Sequence, residues 1–358
     1  MILYIPPHFY QTINSLFQKK ITVNIAVFLG GISPERNVSL ASGRSVANAL
    51  REAGHTVVSI DPALGKFQQI NFIENLPHNI AEFSASPEEL VQYSLRNYFE
   101  CVNSSLLDGI DVLFLTTHGK WGEDGVLQSL LELRGIPYTG SRVLASALAM
   151  DKAMAKVFFE REKIATPRWK ILSSQNLQLQ HSALWQGKFP CVVKPNEGGS
   201  TIGMSMVQSQ EELLPAIASA KKYSSKVLLE EYIEGKELTV PVLGETALPV
   251  IEIKPKGGFY DYQRKYTKGE TDYICPAELP LALEEEIREA GLRAYAALGC
   301  EGYARTDFRL QPDGKFYCLE VNTLPGMTAT SLVPKAAKAV GIEFPELCER
   351  IVKLALRK

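Results

Sequence analysis

The sequence predicts an α/β protein of two or three domains that opens on parallel βαβ units and passes into shorter antiparallel strands. Three observations carry this. The chain has 358 residues, against roughly 150 for a common domain. In its first part, apolar strand runs alternate with stretches of helical periodicity. Past Thr166-Pro167 the composition shifts to short β-rich runs separated by turns.

Residues 23–29 form a β-rich run ending at Gly30-Gly31. Residues 39–53 have helical periodicity and stop before Gly54, and Thr56-Val-Val-Ser-Ile60 is a second strand. Residues 112–117 suit a buried parallel strand that ends at His118-Gly-Lys-Trp-Gly-Glu-Asp-Gly125, with a helix from Val126 to Arg134. Ligand loops are expected at such strand C-termini. A single helical stretch follows from Arg142 to Glu162. The strands Cys191–Lys194, Val227–Ile233, Leu238–Leu243 and Leu248–Ile253 together predict one small antiparallel unit. A helix near 281–298 leads into Gly302–Leu310, the turn Pro312-Asp-Gly314 and Lys315–Val321, which read as a hairpin, and the chain closes on helices.

Composition excludes several function classes. Lys plus Arg number 38 against 40 Asp plus Glu, a net charge of -2, so no bulk attraction to nucleic acid or anionic membrane is expected. No apolar run approaches the roughly 18 residues that span a bilayer, and the N-terminus lacks the pattern of a signal peptide. Six scattered cysteines without Cys-x-x-Cys fit reduced packing residues and a cytoplasmic location. None of the five Gly-Lys pairs precedes Ser or Thr, so there is no Walker A loop, and no Gly-x-Gly opens a dinucleotide turn. The commonest zinc-protease and serine-hydrolase signals are missing as well.

Three constellations remain. Arg305-Thr-Asp307 and Glu320-Val-Asn322 flank the predicted hairpin turn, and residues two apart share a strand face. Two carboxylates and an amide oxygen suit Mg²⁺; a solvated face with a surface ion pair suits the same residues. Lys194-Pro-Asn-Glu-Gly-Gly-Ser-Thr-Ile-Gly203 places a strand-end lysine before a glycine-rich loop able to approach a phosphate, or forms a plain turn. Leu229-Glu-Glu-Tyr-Ile-Glu-Gly-Lys-Glu237 offers a backbone for an adenine edge and Glu237 for a ribose, or is an edge strand with a charged hairpin.

The ordered set of Lys152, Lys194, the 198–203 loop, Glu230 to Glu237, Arg305, Asp307, Glu320 and Asn322 resembles the ATP-grasp carboxylate–amine ligases. Four further strings, Leu29–Ser39, His118–Gly125, Phe259–Tyr266 and Asn322–Leu332, narrow the resemblance to the D-alanine–D-alanine ligase family from about Val23 to the C-terminus. The resemblance implies an ATP-grasp architecture, an N-terminal parallel α/β domain followed by two mixed α+β subdomains clamping ATP. The implied divisions are an extension over 1–20, then 21–141, 142–237 and 238–358.

The implied reaction joins a pair of D-alanines with ATP through a D-alanyl phosphate, for peptidoglycan precursor synthesis. By resemblance, Asp307, Glu320 and Asn322 hold a pair of Mg²⁺ ions, with Mn²⁺ as a substitute. Lys152, Lys194 and Lys265 contact phosphates. Glu230, Glu231, Tyr232 and Ile233 border adenine, and Glu237 takes the ribose. Arg305 and the Gly326 N–H stabilise the acyl phosphate and oxyanion. Glu35, with His118 nearby, grips the first D-alanine; equally, Glu35 suits a helix cap and His118 a satisfied loop histidine. Ser331 and Leu332 fix the second alanine, although Ser331 also suits an N-cap. In a Glu35–Ser200–Tyr266 network the tyrosine goes with an amine acceptor; as an alternative it packs beneath a lid over 258–274 that closes on ATP.

The sequence departs from the family at residues 1–20, which have no counterpart in its core, at Asn196-Glu197-Gly198 and Thr201, and at Asn37, where a carboxylate is common. Two rival readings are a ligase that takes D-lactate or D-serine as acceptor and a nucleotide-binding regulator without turnover. A homodimer, with no nucleic-acid or membrane partner, is the expected assembly.

Overall fold

The computed structural model describes residues 22–68, 84–173, 184–256 and 269–357. Lys265, Tyr266 and most of the 258–274 loop lie outside the described residues. The chain runs β1 (Asn24–Phe28), α1 (Arg36–Glu52), β2 (Thr56–Ile60), α2 (Pro87–Leu90), α3 (Leu95–Val102), β3 (Val112–Leu115), α4 (Val126–Arg134), α5 (Val143–Met150) and α6 (Lys152–Arg161). It continues through β4 (Trp169–Leu172), β5 (Cys191–Pro195), β6 (Ser205–Val207), α7 (Leu213–Ala220), β7 (Val227–Glu231), β8 (Lys236–Leu243), β9 (Thr246–Ala247), β10 (Ile251–Pro255) and β11 (Thr271–Ile274). The last elements are α8 (Leu281–Ala297), β12 (Tyr303–Leu310), β13 (Phe316–Asn322), α9 (Leu332–Ala339) and α10 (Phe344–Ala355).

Three sheets organise these elements. The first is parallel, ordered β2-β1-β3, with β1 and β3 almost wholly buried as their unbroken apolar runs demand. Its core also takes in the C-terminal helices through Val333, Leu347 and Ile351, so the two ends of the chain share one apolar cluster. The second sheet, β4-β7-β5-β6, is antiparallel and packs on α7. The third, β11-β10-β8-β12-β13 with β9 beside β8, is antiparallel and carries α8 and the α5–α6 pair.

Two expectations are corrected here. The four strands expected in one antiparallel unit divide between two sheets, Cys191–Pro195 and Val227–Glu231 in one, Lys236–Leu243 and Ile251–Pro255 in the other. Local pattern marks a strand but says nothing of which distant strand it pairs with. The expected helix 142–162 is also two helices, broken at Asp151. There the carboxylate accepts the Met154 N–H at 3.1 Å, an N-cap bond that favours starting a new helix over continuing the old one.

The β12–β13 ribbon holds a bulge. Asp307 faces Glu320, yet Phe308 faces Cys318, which leaves Leu319 as an extra residue. On a regular strand Cys318 and Glu320 would share a face. The bulge separates them: Cys318 joins Phe308 in the core, while Leu319 and Glu320 border a cleft. All six cysteines are free, five of them buried, and burial pushes the Cys101 and Cys300 thiols up to about 12. No helix among the described residues is long and apolar enough to cross a membrane.

Candidate active site

A cleft between the second and third sheets collects side chains from both. It is bordered by Lys152, Lys194, the 198–202 loop, Glu230 to Ile233, Glu237, Asp307, Arg309 and Glu320.

The break at Asp151 positions Lys152. The Lys152 N–H donates to Asn196 O at 3.2 Å and the Ala153 N–H to Asn196 Oδ1 at 3.0 Å, tying the new helix to the end of β5. Lys152 Nζ then donates to Gly198 O at 2.5 Å and pairs with Glu320 Oε2 at 3.1 Å. The loop beyond β5 bends through positive φ at Gly198, Ser200, Thr201 and Gly203. Ser200 (φ 50°) and Thr201 (φ 60°) sit there at a cost of about 1–2 kcal/mol each, strain of the kind found at ligand loops.

Glu230, which is 2% exposed, lies between two lysines. Lys194 Nζ reaches its Oε2 at 2.6 Å and Lys156 Nζ its Oε1 at 3.1 Å. Burial alone would raise this carboxyl; Lys156 and Lys194 outweigh it and hold Glu230 below the ordinary carboxylate range. Lys156 is wholly buried and also donates to Thr166 Oγ1 at 2.6 Å.

Across the cleft, the ribbon turns Arg305, Asp307, Glu320 and Asn322 toward one another. Arg305 grips Asp307 through Nε at 2.9 Å and Nη2 at 2.8 Å; Thr239 Oγ1 donates to Oδ1 at 2.7 Å and Asn322 Nδ2 to Oδ2 at 3.1 Å. These four bonds use the lone-pair directions of the carboxylate. Among the described residues no three His, Cys, Asp or Glu cluster as metal ligands. The ribbon offers instead two carboxylates and an amide, an all-oxygen set that fits a hard divalent cation.

Across the 198–202 loop from the cleft lie residues carried by the first sheet. Gly30 and Gly31, at φ of 78° and 84°, let the backbone after β1 pass Asp61 and Tyr98; an added Cβ would come within 2.5 Å of Asp61 Oδ2 and 2.6 Å of the Tyr98 hydroxyl. Arg36, paired with buried Asp61 and donating to Gly31 O at 2.7 Å, closes this turn. Glu35 occupies the N-cap position of α1 but makes no capping bond; its Oε1 accepts the Ser200 hydroxyl instead, joining first and second sheets. His118 is buried; its ring is tied to the Leu324 backbone, and its Nε2 has no hydrogen-bond partner among the described residues. Burial chiefly holds this imidazole below its ordinary range, with Glu35 acting against the shift and Arg305 with it.

Gly326 and Ser331 lie side by side: a Cβ on Gly326 would sit 3.4 Å from Ser331 Oγ, which accepts the Thr328 N–H at 3.1 Å. The Met327 N–H donates to Ser42 Oγ at 3.1 Å, so this loop is anchored on the same helix that carries Glu35. Leu332 packs into the first core.

Lys156, Arg309 and Glu123 escaped the sequence reasoning. Glu123 Oε1 accepts the Gly119 N–H at 2.9 Å, and burial, then Glu35, pushes its carboxyl well above the ordinary range. Arg309 had a legible signal, since it continues the alternating stripe of Arg305 and Asp307. Lys156, one helical turn past Lys152, reads as a solvated face.

Residues 24–141 match the D-ala D-ala ligase N-terminus and residues 158–353 the D-ala D-ala ligase C-terminus. The D-alanine–D-alanine ligase of Syntrophotalea carbinolica is 43% identical over 346 residues, covering 96% of this chain and 99% of that one. That of Desulforamulus reducens is 43% identical over 348 residues, covering 94% and 100%. Among solved structures, the Bacillus anthracis D-alanine–D-alanine ligase complexed with ATP superimposes with a TM-score of 0.73 at 34% identity, covering 94% of this chain and 98% of that one. The VanG D-Ala:D-Ser ligase of Enterococcus faecalis gives 0.76 at 29% identity, covering 94% and 100%. The architecture is that of the ATP-grasp fold, and the chain belongs to the D-alanine–D-alanine ligase family.

Proposed function

We propose that this protein joins two D-alanines into D-alanyl-D-alanine with ATP, a step that supplies peptidoglycan synthesis. The observation that carries the proposal is the meeting of Lys152 with Glu320 at 3.1 Å in a cleft also bordered by Lys194 and by the Glu230–Glu237 segment. Cations from separate segments thus face an acidic ribbon around one space. ATP fits this space with adenine along Glu230–Ile233, ribose at Glu237 and phosphates toward Lys152, Lys194 and the strained loop.

A carboxylate is a poor electrophile. Its oxygen attacks the γ-phosphorus, the bond to the β-phosphate oxygen breaks, and ADP leaves an acyl phosphate. The neutral amine of the second D-alanine then attacks the acyl carbon, phosphate departs, and the amine loses a proton. Glu35 and His118 hold the first D-alanine, while Arg305 and the Gly326 N–H face the negative charge that develops on oxygen. Ser331 and Leu332 border the second alanine. Asp307, Glu320 and Asn322 would hold Mg²⁺ or Mn²⁺, which neutralises phosphate charge when bound. Since Asp307 is fully engaged, taking up an ion requires the Arg305 fork to turn from it.

We also propose the division at 21–141, 142–237 and 238–358, each part centred on one of the three sheets although α5 and α6 pack on the third and the C-terminal helices on the first, a cytoplasmic location, which fits six free thiols, and a homodimer. Lys265 and Tyr266 keep their proposed roles toward phosphate and acceptor amine. The D-Ala:D-Ser neighbour favours D-serine as the second reading of acceptor choice.

The test is to incubate purified protein with ATP, Mg²⁺ and D-alanine, alone or with D-serine or D-lactate. D-alanine-dependent ADP release with D-alanyl-D-alanine as main product is expected. A predominant D-lactate or D-serine product defeats the acceptor assignment; ATP binding without D-alanine-dependent phosphate release defeats the ligase.

A further inference from the structure

Arg309 has no part in the chemistry described above, yet it stands at the nucleotide end of the cleft. Residues 305, 307 and 309 share one face of β12. The first two serve the ribbon, while Arg309 turns to the segment that links β7 to β8. Its Nε donates to Ile233 O at 3.0 Å, its Nη2 to the Tyr232 hydroxyl at 3.4 Å and its Nη1 to Glu237 Oε2 at 3.4 Å. The guanidinium carbon also lies 5.5 Å from the centre of the Tyr232 ring. Arg309 and Glu237 are direct cross-strand partners, so backbone pairing holds the two side chains at the same level.

The same segment docks on this strand by its backbone. Gly235, at φ 134°, passes so close to the end of β12 that an added Cβ would lie 1.9 Å from Leu310 O. The turn therefore follows β12 closely, and the arginine adds three side-chain contacts to it. The carbonyl bond is the short one and the two other contacts are long. Arg309 thus constrains the path of the segment more than it neutralises Glu237. A planar fork that holds a carbonyl and a carboxylate together sets their separation, which a lysine does not.

We propose that Arg309 is a positioning residue for the nucleotide, setting ATP affinity and sugar discrimination by holding the Ile233 carbonyl and the Glu237 carboxylate in the arrangement that receives the adenosine part. The inference rests on the reading of this cleft as the ATP site.

The test compares the full-length protein with Arg309→Met and Arg309→Lys, measuring KM for ATP, for 2′-deoxy-ATP and for D-alanine, and the thermal midpoint. Arg309→Met should raise the ATP KM about 10-fold, the loss expected for a charged hydrogen-bonding group, with little change in kcat or D-alanine KM. It should also shrink the preference for ATP over 2′-deoxy-ATP, and Arg309→Lys should recover the ATP KM only partly. An unchanged ATP KM, an undiminished preference for ATP over 2′-deoxy-ATP, or a parallel rise in both KM values with a lowered midpoint overturns the inference. Calorimetry separates the two levels. If the parent binds no ATP, the ATP reading itself fails; if parent and Arg309→Met bind ATP equally, only the role of Arg309 fails.

Discussion

The cleft and the neighbouring region across its 198–202 loop are built on opposite principles. Within the cleft the charges are held against one another: buried Glu230 sits between Lys156 and Lys194, and half-buried Glu237 faces Arg309. Beyond the 198–202 loop, two carboxyl groups, Glu35 and Glu123, lie close enough for one to raise the pKa of the other, and the buried Nε2 of His118 has no hydrogen-bond partner among the described residues. A region whose charged groups hold one another in place is shaped before any ligand arrives. A carboxylate beside a carboxyl pushed toward its neutral form suits a cation such as an ammonium group, which lets both carry charge.

Substitutions on either side sharpen this contrast. The largest effect is expected at the ribbon: Glu320→Gln should lower kcat about 10²–10³-fold, the cost of loosening the hold on a cation that would neutralise the transferring phosphoryl group, with thermal stability near the parent's. Near-normal turnover would show that the metal assignment is wrong. Next comes Glu230→Gln, which leaves two buried ammonium groups without their carboxylate and should cost about 3–5 kcal/mol in denaturant unfolding. Lys156→Met leaves the Glu230–Lys194 pair in place and should cost less, about 1–3 kcal/mol. Equal losses from the two would contradict the view of Glu230 as the hub.

Across the loop, Glu35→Ala should raise KM for the first D-alanine about 10-fold or more, as for loss of a charged hydrogen bond, and leave ATP affinity unchanged. An unaltered D-alanine KM counts against its role. The smallest effect concerns pH. The unfolded chain takes up a proton on His118 near 6.5, while burial keeps the folded imidazole neutral to lower pH. Stability present above 6.5 is therefore lost as pH falls below it, by about 1 kcal/mol per unit until the folded group titrates. His118→Gln should flatten the curve of thermal midpoint against pH in that window, and a curve parallel to the parent's would show that the imidazole titrates normally.

Much of this site was legible in the chain because its chemistry follows short-range periodicity. Arg305 with Asp307, and Glu320 with Asn322, share strand faces at spacing two, and the turn at Pro312-Asp-Gly314 brings the two strands together. What could not be read depends on long-range pairing. The bulge at Leu319 sets apart Cys318 and Glu320, which a regular strand would place on one face. The partition of the later strands between two sheets is likewise a matter of partners far away in sequence. The break at Asp151 had a local signal, an aspartate in N-cap position, but the helical pattern on both sides masks it. Lys156 was overlooked because a lysine one turn beyond another suggests solvent, and only the tertiary placement of Glu230 explains a wholly buried ammonium.

The central claim, activation of a carboxylate by phosphoryl transfer within this cleft, is tested most directly by isotope transfer. Purified protein would be incubated with ATP, Mg²⁺ and D-alanine labelled with ¹⁸O in its carboxylate, and the released phosphate analysed by mass spectrometry. An acyl phosphate requires that one labelled oxygen per dipeptide pass from D-alanine to inorganic phosphate. Dipeptide formed with unlabelled phosphate would contradict the account.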